Sequence, residues 1–261
     1  MFNAQLTEVK TVCNMLKSIA IKEFAVFRPM EEGLKVTLEE MRCVETSAYI
    51  PREIFSLYQV KESEDNLFKI NLKTFTDVIN IFGDDINTTL KLSFNSPGSP
   101  LRLIVSHAED NVFIECEMKT LNINEFESPS LAEECNLNKI VVNANIFVEL
   151  LQRLDNSADE LKIVFQPDFP YFSLKAKSLS GDSEVALNKN SDSVLVFQCN
   201  EQTDFTYAFS NIRHILKVMH YANKVAISTG STGLLGLQLV IENEQHQMYV
   251  EYYVTSLFSV D

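Results

Sequence analysis

The chain has 261 residues and carries 36 Asp and Glu against 22 Lys and Arg, a net charge of −14, with 46% apolar residues, seven Gly and seven Pro. That composition excludes a disordered or collagen-like chain and allows about two domains of ~150 residues, and taken whole the charge argues against a simple nucleic-acid binder. No apolar run approaches the ~18 residues that cross a bilayer, and the opening Met1-Phe2-Asn3-Ala4-Gln5-Leu6 lacks the basic and apolar regions of a secretion signal.

In chain order, Leu6, Val9, Val12, Cys13, Leu16, Ile19 and Ala20 recur at helical spacing and predict a first helix. A strand is expected at 34–38. Leu72, Phe75, Ile79 and Phe82 predict a second helix, capped by Asn71 and ended at Gly83. Strands follow at 89–94, 101–105 and 112–118, with turns at Ser96-Pro97-Gly98 and Glu109-Asp110-Asn111. Residues 120–138 then break the pattern: Glu125, Glu127, Glu133 and Glu134 stand beside Pro129 with no Lys or Arg, which reads as an acidic connector. It holds −4 of the net charge, and 1–119 and 139–261 hold −5 each.

Beyond the connector, Ile146, Phe147, Leu150, Leu151 and Leu154 predict a third helix. Strands are expected at 161–165, 171–176 and 194–199, with turns at Pro167-Asp168 and Ser180-Gly181-Asp182. Ile212, Ile215, Leu216, Met219 and Ala222 predict a fourth helix with Ser210 as its N-cap. Strands at 225–228, 235–241 and 248–254 complete the chain. Equivalent elements recur at offsets of about 136–139 residues, so the two halves share one order: strand, helix, several strands, helix, three strands. The predicted fold is α+β, two similar domains at 1–119 and 139–261 joined by 120–138, each a mostly antiparallel sheet with two helices on one face.

The fourth helix carries the strongest local signal. Arg213, Lys217, His220 and Lys224 fall at i, i+4, i+7 and i+11, and 37 consecutive residues from Phe205 to Ile241 contain no acid. Two readings fit this stripe: a solvated face, and contact with a polyanion such as a phosphate backbone. Lys10 and Lys17 repeat the pattern on the first helix, with Lys22 beyond. Catalytic signals are poor. His107, His214, His220 and His246 form no metal or base–nucleophile motif, and Gly230, Gly233 and Gly236 precede a strand rather than a helix, which favours a hairpin turn over a phosphate loop. Glu115 and Glu117 alternate on one strand, as nuclease carboxylates can, though a solvent-exposed face explains them as well. Cys13, Cys43, Cys116, Cys135 and Cys199 include no CxxC pair and read as thiols in a reducing compartment. The strands at 112–118 and 183–187 are candidate sheet edges, open to pairing with another chain or capped within the fold.

The doubled plan, the acidic connector, the cationic helix faces and segments such as Met1-Phe2-Asn3-Ala4-Gln5-Leu6, Asn71-Leu72 and Tyr252-Tyr253 resemble DNA sliding clamps of the PCNA class. Phe68-Lys69-Ile70-Asn71-Leu72, Ile81-Phe82-Gly83, Pro170-Tyr171-Phe172-Ser173-Leu174, Lys189-Asn190-Ser191-Asp192-Ser193, Phe197-Gln198-Cys199-Asn200 and Val250-Glu251-Tyr252-Tyr253 are similar to the Rad-one-type subunits of the heterotrimeric nine-one-one checkpoint clamp. The resemblance implies a sliding-clamp fold with channel-facing helices and no ATPase, cofactor or metal. It implies Rad-nine-type and Hus-one-type partner subunits, an ATP-driven loader, duplex DNA through the ring, checkpoint and repair clients, and a nuclear location. It assigns Lys10, Lys17, Lys22, Lys73, Arg153, Arg213, Lys217 and Lys224 to the channel. Subunit joints fall to Val112, Phe113, Ile114, Cys116 and Met118 on one side and to Ser183, Val185 and Leu187 on the other. An outer client groove falls to Met41, Phe126, Leu131 and Tyr253. Asp77, Asn80, Glu149 and Gln152 stand where PCNA offers cations, which implies an uneven lining and favours one member of a mixed ring. A homotrimeric clamp and a 3′→5′ exonuclease are the alternatives.

Overall fold

The computed structural model describes residues 1–61, 66–83, 87–107, 109, 111–121, 123, 128–132, 137–242 and 246–257. They fall into two units: Met1–Glu40, Ser47–Glu127 and Asn243–Tyr249 in the first; Met41–Thr46, Ser128–Glu242 and Val250–Asp261 in the second.

The first repeat runs β1 (Phe2–Leu6), α1 (Val9–Ser18), β2 (Phe24–Met30), β3 (Gly33–Glu40), β4 (Val44–Pro51), β5 (Phe55–Val60), β6 (Phe68–Asn71), α2 (Leu72–Ile79), β7 (Thr88–Phe94), β8 (Leu101–His107) and β9 (Val112–Met118). The second runs β10 (Asn138–Asn143), α3 (Ala144–Gln152), β11 (Glu160–Phe165), β12 (Phe172–Ser178), β13 (Gly181–Leu187), β14 (Val194–Gln198), β15 (Thr203–Ala208), α4 (Phe209–Arg213), α5 (Leu216–Met219), β16 (Lys224–Thr229), β17 (Leu235–Glu242) and β18 (Gln247–Val254). Strands lie in the order β5-β1-β7-β8-β9 and β4-β3-β2-β6 in the first, and β14-β10-β16-β17-β18 and β13-β12-β11-β15 in the second. The repeat extends to irregularities: the pairing register slips between Gln5 and Leu6 against β5, and at the matching step between Val141 and Val142 against β14. A bulge at an outer strand bends it away from further pairing.

Local chemistry explains the elements. Phe2, Ala4 and Leu6 are the buried positions of β1, a period of two, so Leu6 ends a strand and the first helix begins at Val9. Val9, Val12, Cys13 and Leu16 then bury one face of α1 at helical spacing. Asn71 caps α2 as its type demands: its Oδ1 accepts the Thr74 N–H at 2.8 Å, and its amide donates to Glu23 Oε1 at 2.6 Å. The first core is aromatic, with Phe27 stacked on Phe68 at 5.3 Å, Phe94 tilted against Phe68 at 4.6 Å and Phe75 edge-on to Phe27 at 5.2 Å. In the second, Phe147, Phe165, Phe172, Tyr207, Phe209 and Tyr252 are fully buried. The Tyr207 hydroxyl donates to the Gly233 carbonyl at 3.0 Å, and the Tyr252 hydroxyl to the Asn211 carbonyl at 2.6 Å.

The fourth helix differs from its prediction. It is two short segments, α4 and α5, joined by i→i+3 bonds from Ile215 N–H to Ile212 O at 3.2 Å and from Val218 N–H to Ile215 O at 3.0 Å. His214 and Ile215 keep right-handed helical dihedrals, so the path tightens rather than breaks. Ala208 holds the N-cap position and Ser210 lies inside α4, because β15 runs directly into the helix and the Phe209 N–H is taken by Asp159 O at 2.8 Å. Lys224 begins β16 and belongs to no helix. Gly233 (φ 80°) turns the hairpin from β16 to β17, whereas Gly236 lies within β17 itself.

Candidate functional site

Lys10 and Lys17 are exposed on α1, seven residues apart and hence nearly in line along the helix, and Lys73 is exposed on α2. Lys22 is ion-paired, its Nζ 2.7 Å from Glu40 Oε1. In the second repeat Lys217 is exposed on α5 and Lys224 at the start of β16. Arg153, just past α3, pairs with Glu149 at 3.5 Å. Arg213 is held most firmly: its guanidinium donates to Asn156 O at 2.8 Å and Ala158 O at 3.4 Å, and lies 3.9 Å from the centroid of the Phe209 ring. The predicted single stripe of Arg213, Lys217, His220 and Lys224 is therefore not one helical ridge. Tightening between α4 and α5 shifts its phase, and its last member sits on a strand.

The two candidate edge strands are ends of their sheets, β9 beyond β8 and β13 beyond β12. Their seven residues share one exposure pattern: exposed at the first, second, fourth and sixth positions, half-buried at the third and fifth, buried at the last. Ile114, Cys116 and Met118 thus match Ser183, Val185 and Leu187 position by position. Val112 and Phe113 are exposed as well, Phe113 to 68%. On the other face of β9, Glu115 and Glu117 both bind Arg102, at 3.1 Å and 3.3 Å, which accounts for their alternation. Among the described residues no group of three or more His, Cys, Asp or Glu is placed to hold a metal ion. Cys13, Cys43, Cys116 and Cys199 are not joined in disulfides, and Cys135 lies outside the described residues.

Of the groove residues, Met41 is 83% exposed at a left-handed position (φ 51°) between β3 and β4. Leu131 and Tyr253 meet over Gly236, where an added Cβ would stand 2.7 Å from Leu131 Cδ1 and 3.2 Å from Tyr253 Cε1. Only a residue without a side chain permits that approach. Burial, then the charges of Glu251 and Glu45, push the Tyr253 hydroxyl up to about 12. Phe126 lies outside the described residues. Sequence reasoning missed Glu45, whose side chain is buried near this ring, and it missed the anchoring of Arg213. The Asp155-Asn156-Ser157 turn signal could have pointed to the loop that anchors Arg213.

The sequence model of the Repair protein Rad1/Rec1/Rad17 family matches residues 1–241. The chain belongs to this family. It is 32% identical over 255 residues to the mouse (Mus musculus) Cell cycle checkpoint protein RAD1, covering 96% of this chain and 90% of that protein. Against the Drosophila melanogaster DNA repair protein Rad1 it is 26% identical over 264 residues, covering 100% and 95%. It is also 24% identical over 230 residues to the DNA polymerase sliding clamp of Thermococcus onnurineus, covering 84% of each. The α+β, antiparallel architecture described above is that of a sliding clamp.

Proposed function

We propose that this chain is the Rad-one-type subunit of a heterotrimeric checkpoint clamp, a ring that encircles duplex DNA at damage sites in the nucleus and holds repair and signalling factors there. The reading rests on one observation above others: each repeat ends a sheet in an open strand, β9 and β13, and the two share one exposure pattern. Two different edges on one chain form head-to-tail contacts, and such contacts close a ring when the rotation permits. Val112, Phe113, Ile114, Cys116 and Met118 form one joint, and Ser183, Val185 and Leu187 the other. The domains are 1–119 and 139–261, joined by 120–138.

The clamp works by topology. Closure around the duplex supplies retention, and Lys10, Lys17, Lys22, Lys73, Arg153, Arg213, Lys217 and Lys224 supply weak, sequence-independent phosphate contacts that fade with salt. An ATP-driven loader opens the ring, so the chain needs no catalytic group, cofactor or metal of its own. Met41, Phe126, Leu131 and Tyr253 border the groove where clients dock. An uneven lining from this chain's cations favours one member of a mixed ring, and the resemblance to checkpoint clamps implies a Rad-nine-type and a Hus-one-type subunit as its partners.

Gel filtration tests the reading. The pure chain is expected to run as a monomer of 29.7 kDa, and to enter a complex about three times larger when mixed with both partner subunits. A stable homotrimer from the pure chain would favour the processivity clamp to which it is also similar.

A further inference from the structure

The hairpin that carries β13 turns at Leu179 and Ser180, between Ser178 and its cross-strand partner Gly181. Two-residue hairpins match the twist of their strands when the turn residues take positive φ. Here neither Leu179 nor Ser180 does, the positive angle falling instead on Gly181 (φ 141°), and Leu179 is wholly exposed. The turn is therefore poorly supported by its own backbone. Its support comes from Asp155, in the loop between α3 and β11. Asp155 Oδ2 accepts from the hydroxyls of Ser178 at 2.6 Å and Ser180 at 2.8 Å. Its Oδ1 accepts from the Ser157 N–H and hydroxyl, both at 2.8 Å, and its own N–H donates to Ser183 Oγ at 3.2 Å. The Ser178 hydroxyl also lies 3.0 Å from Gly181 O, but its single proton belongs to the shorter, charge-assisted contact. Arg213 binds the same loop through the Asn156 and Ala158 carbonyls.

We propose that Asp155 is a positioning residue that holds β13 in register for antiparallel pairing with the open edge of a neighbouring clamp subunit. Three anchor points, Ser178, Ser180 and Ser183, bracket the tip and the first residues of β13, so the strand is presented straight instead of fraying from its turn. Preorganising an edge removes ordering cost from the association step. A carboxylate is required because both of its oxygens accept. An asparagine turns an N–H₂ toward one pair of donors, either the hairpin hydroxyls or Ser157.

The inference rests on the reading of β13 as a joint, and two measurements separate them. Hydrogen exchange of the isolated full chain reports the hairpin alone, and titration with the partner subunits reports the joint. In Asp155→Asn, and in Ser178→Ala/Ser180→Ala, which leaves the carboxylate in place, amides of 179–186 are expected to exchange at least tenfold faster. Amides of β7 and β8 should be unchanged, and assembly with the partner whose edge meets β13 should weaken at least fivefold. Ser157→Ala removes only a bond within the loop and should weaken assembly less than twofold. Unchanged exchange at 179–186 in both variants overturns the role of Asp155. Faster exchange with undiminished assembly overturns the assignment of β13 to a joint, and with it the positioning role.

Discussion

Arg213 and Lys217 stand four residues apart, and both are assigned to the channel, yet their surroundings predict opposite responses to truncation. Arg213 makes one short and one longer bond to backbone carbonyls and covers the Phe209 ring. A hydrogen bond from a charged donor is worth about 1.5–3 kcal/mol when dry, and partial exposure at Arg213 reduces this to about 1 kcal/mol. The ring contact adds about 0.5–1 kcal/mol. Arg213→Ala is thus expected to cost about 2 kcal/mol, a fall of about 6 °C in the melting temperature of the second unit. Lys217 is exposed on α5, and Lys217→Ala should stay within about 0.5 kcal/mol of the parent. Calorimetry of the pure chain reads both stabilities. Binding of the assembled ring to linear duplex across a salt series reads the phosphate contact of Lys217, whose loss should lower the slope of log K against log salt by about 0.9. A neutral Arg213→Ala, within about 1 °C, would refute the anchoring argument; a Lys217→Ala as destabilising as Arg213→Ala would refute the distinction between them.

Three further outcomes are expected. Asn138 is wholly buried; its amide donates to Glu201 O at 2.7 Å and Thr203 Oγ1 at 3.0 Å, and its oxygen accepts from the N–H groups of Asn200 and Glu201, so Asn138→Ala should cost about 3 kcal/mol in urea unfolding. Gly236→Ala places a methyl against Leu131 Cδ1 and should expose Leu131 and weaken client-peptide binding, read by fluorescence anisotropy, without lowering ring assembly. Bonds from the Ser178 hydroxyl, then from Ser157 and Ser180, hold the Asp155 carboxyl well below the usual carboxylate range. Stability from a depressed group is fully present above the ordinary value near ~3.9 and is lost as pH falls toward the folded one, so the gap between parent and Asp155→Asn should be constant above about pH 5 and narrow below about pH 4.

What could be read from the sequence was whatever depends on near neighbours. Helical spacing at Val9, Val12, Cys13 and Leu16 and the Asn71 cap each involve residues within a few positions, and the structure has them as expected. The fourth helix departs from its prediction because a 3.6 period cannot be told from a mixture of 3.6 and 3.0 over two turns; the i→i+3 bonds from Ile215 to Ile212 and from Val218 to Ile215 distinguish them. The anchoring of Arg213 lies 55 to 57 residues away along the chain, and the Asp155 contacts to Ser178 and Ser180 lie 23 and 25 away. No local pattern encodes such partners. Gly236 shows the same limit: grouped with Gly230 and Gly233 it looks like part of a turn, whereas its lack of a side chain serves the approach of Leu131.

Charge bookkeeping by residue type overstates the cationic lining that this chain could offer. Among the eight cations assigned to the channel, Lys22 is paired with Glu40 and Arg153 with Glu149, and Arg213 spends two donors on carbonyls. A paired cation attracts phosphate only by giving up its partner, which at exposed sites is worth about 0–1 kcal/mol, so those contacts are weak but not forbidden. Lys10, Lys17, Lys73, Lys217 and Lys224 stand exposed, three in the first repeat and two in the second. At about −0.9 in salt slope per contact, five phosphates give a slope of about −4.5, against about −7 if all eight engaged. A slope of that smaller size suits a ring that must slide: retention comes from closure, and strong contacts would only slow diffusion along the duplex. It also accounts for how a chain of net charge −14 can surround a polyanion, since the repulsion resides in acids spread along the sequence while residues 205–241 carry none.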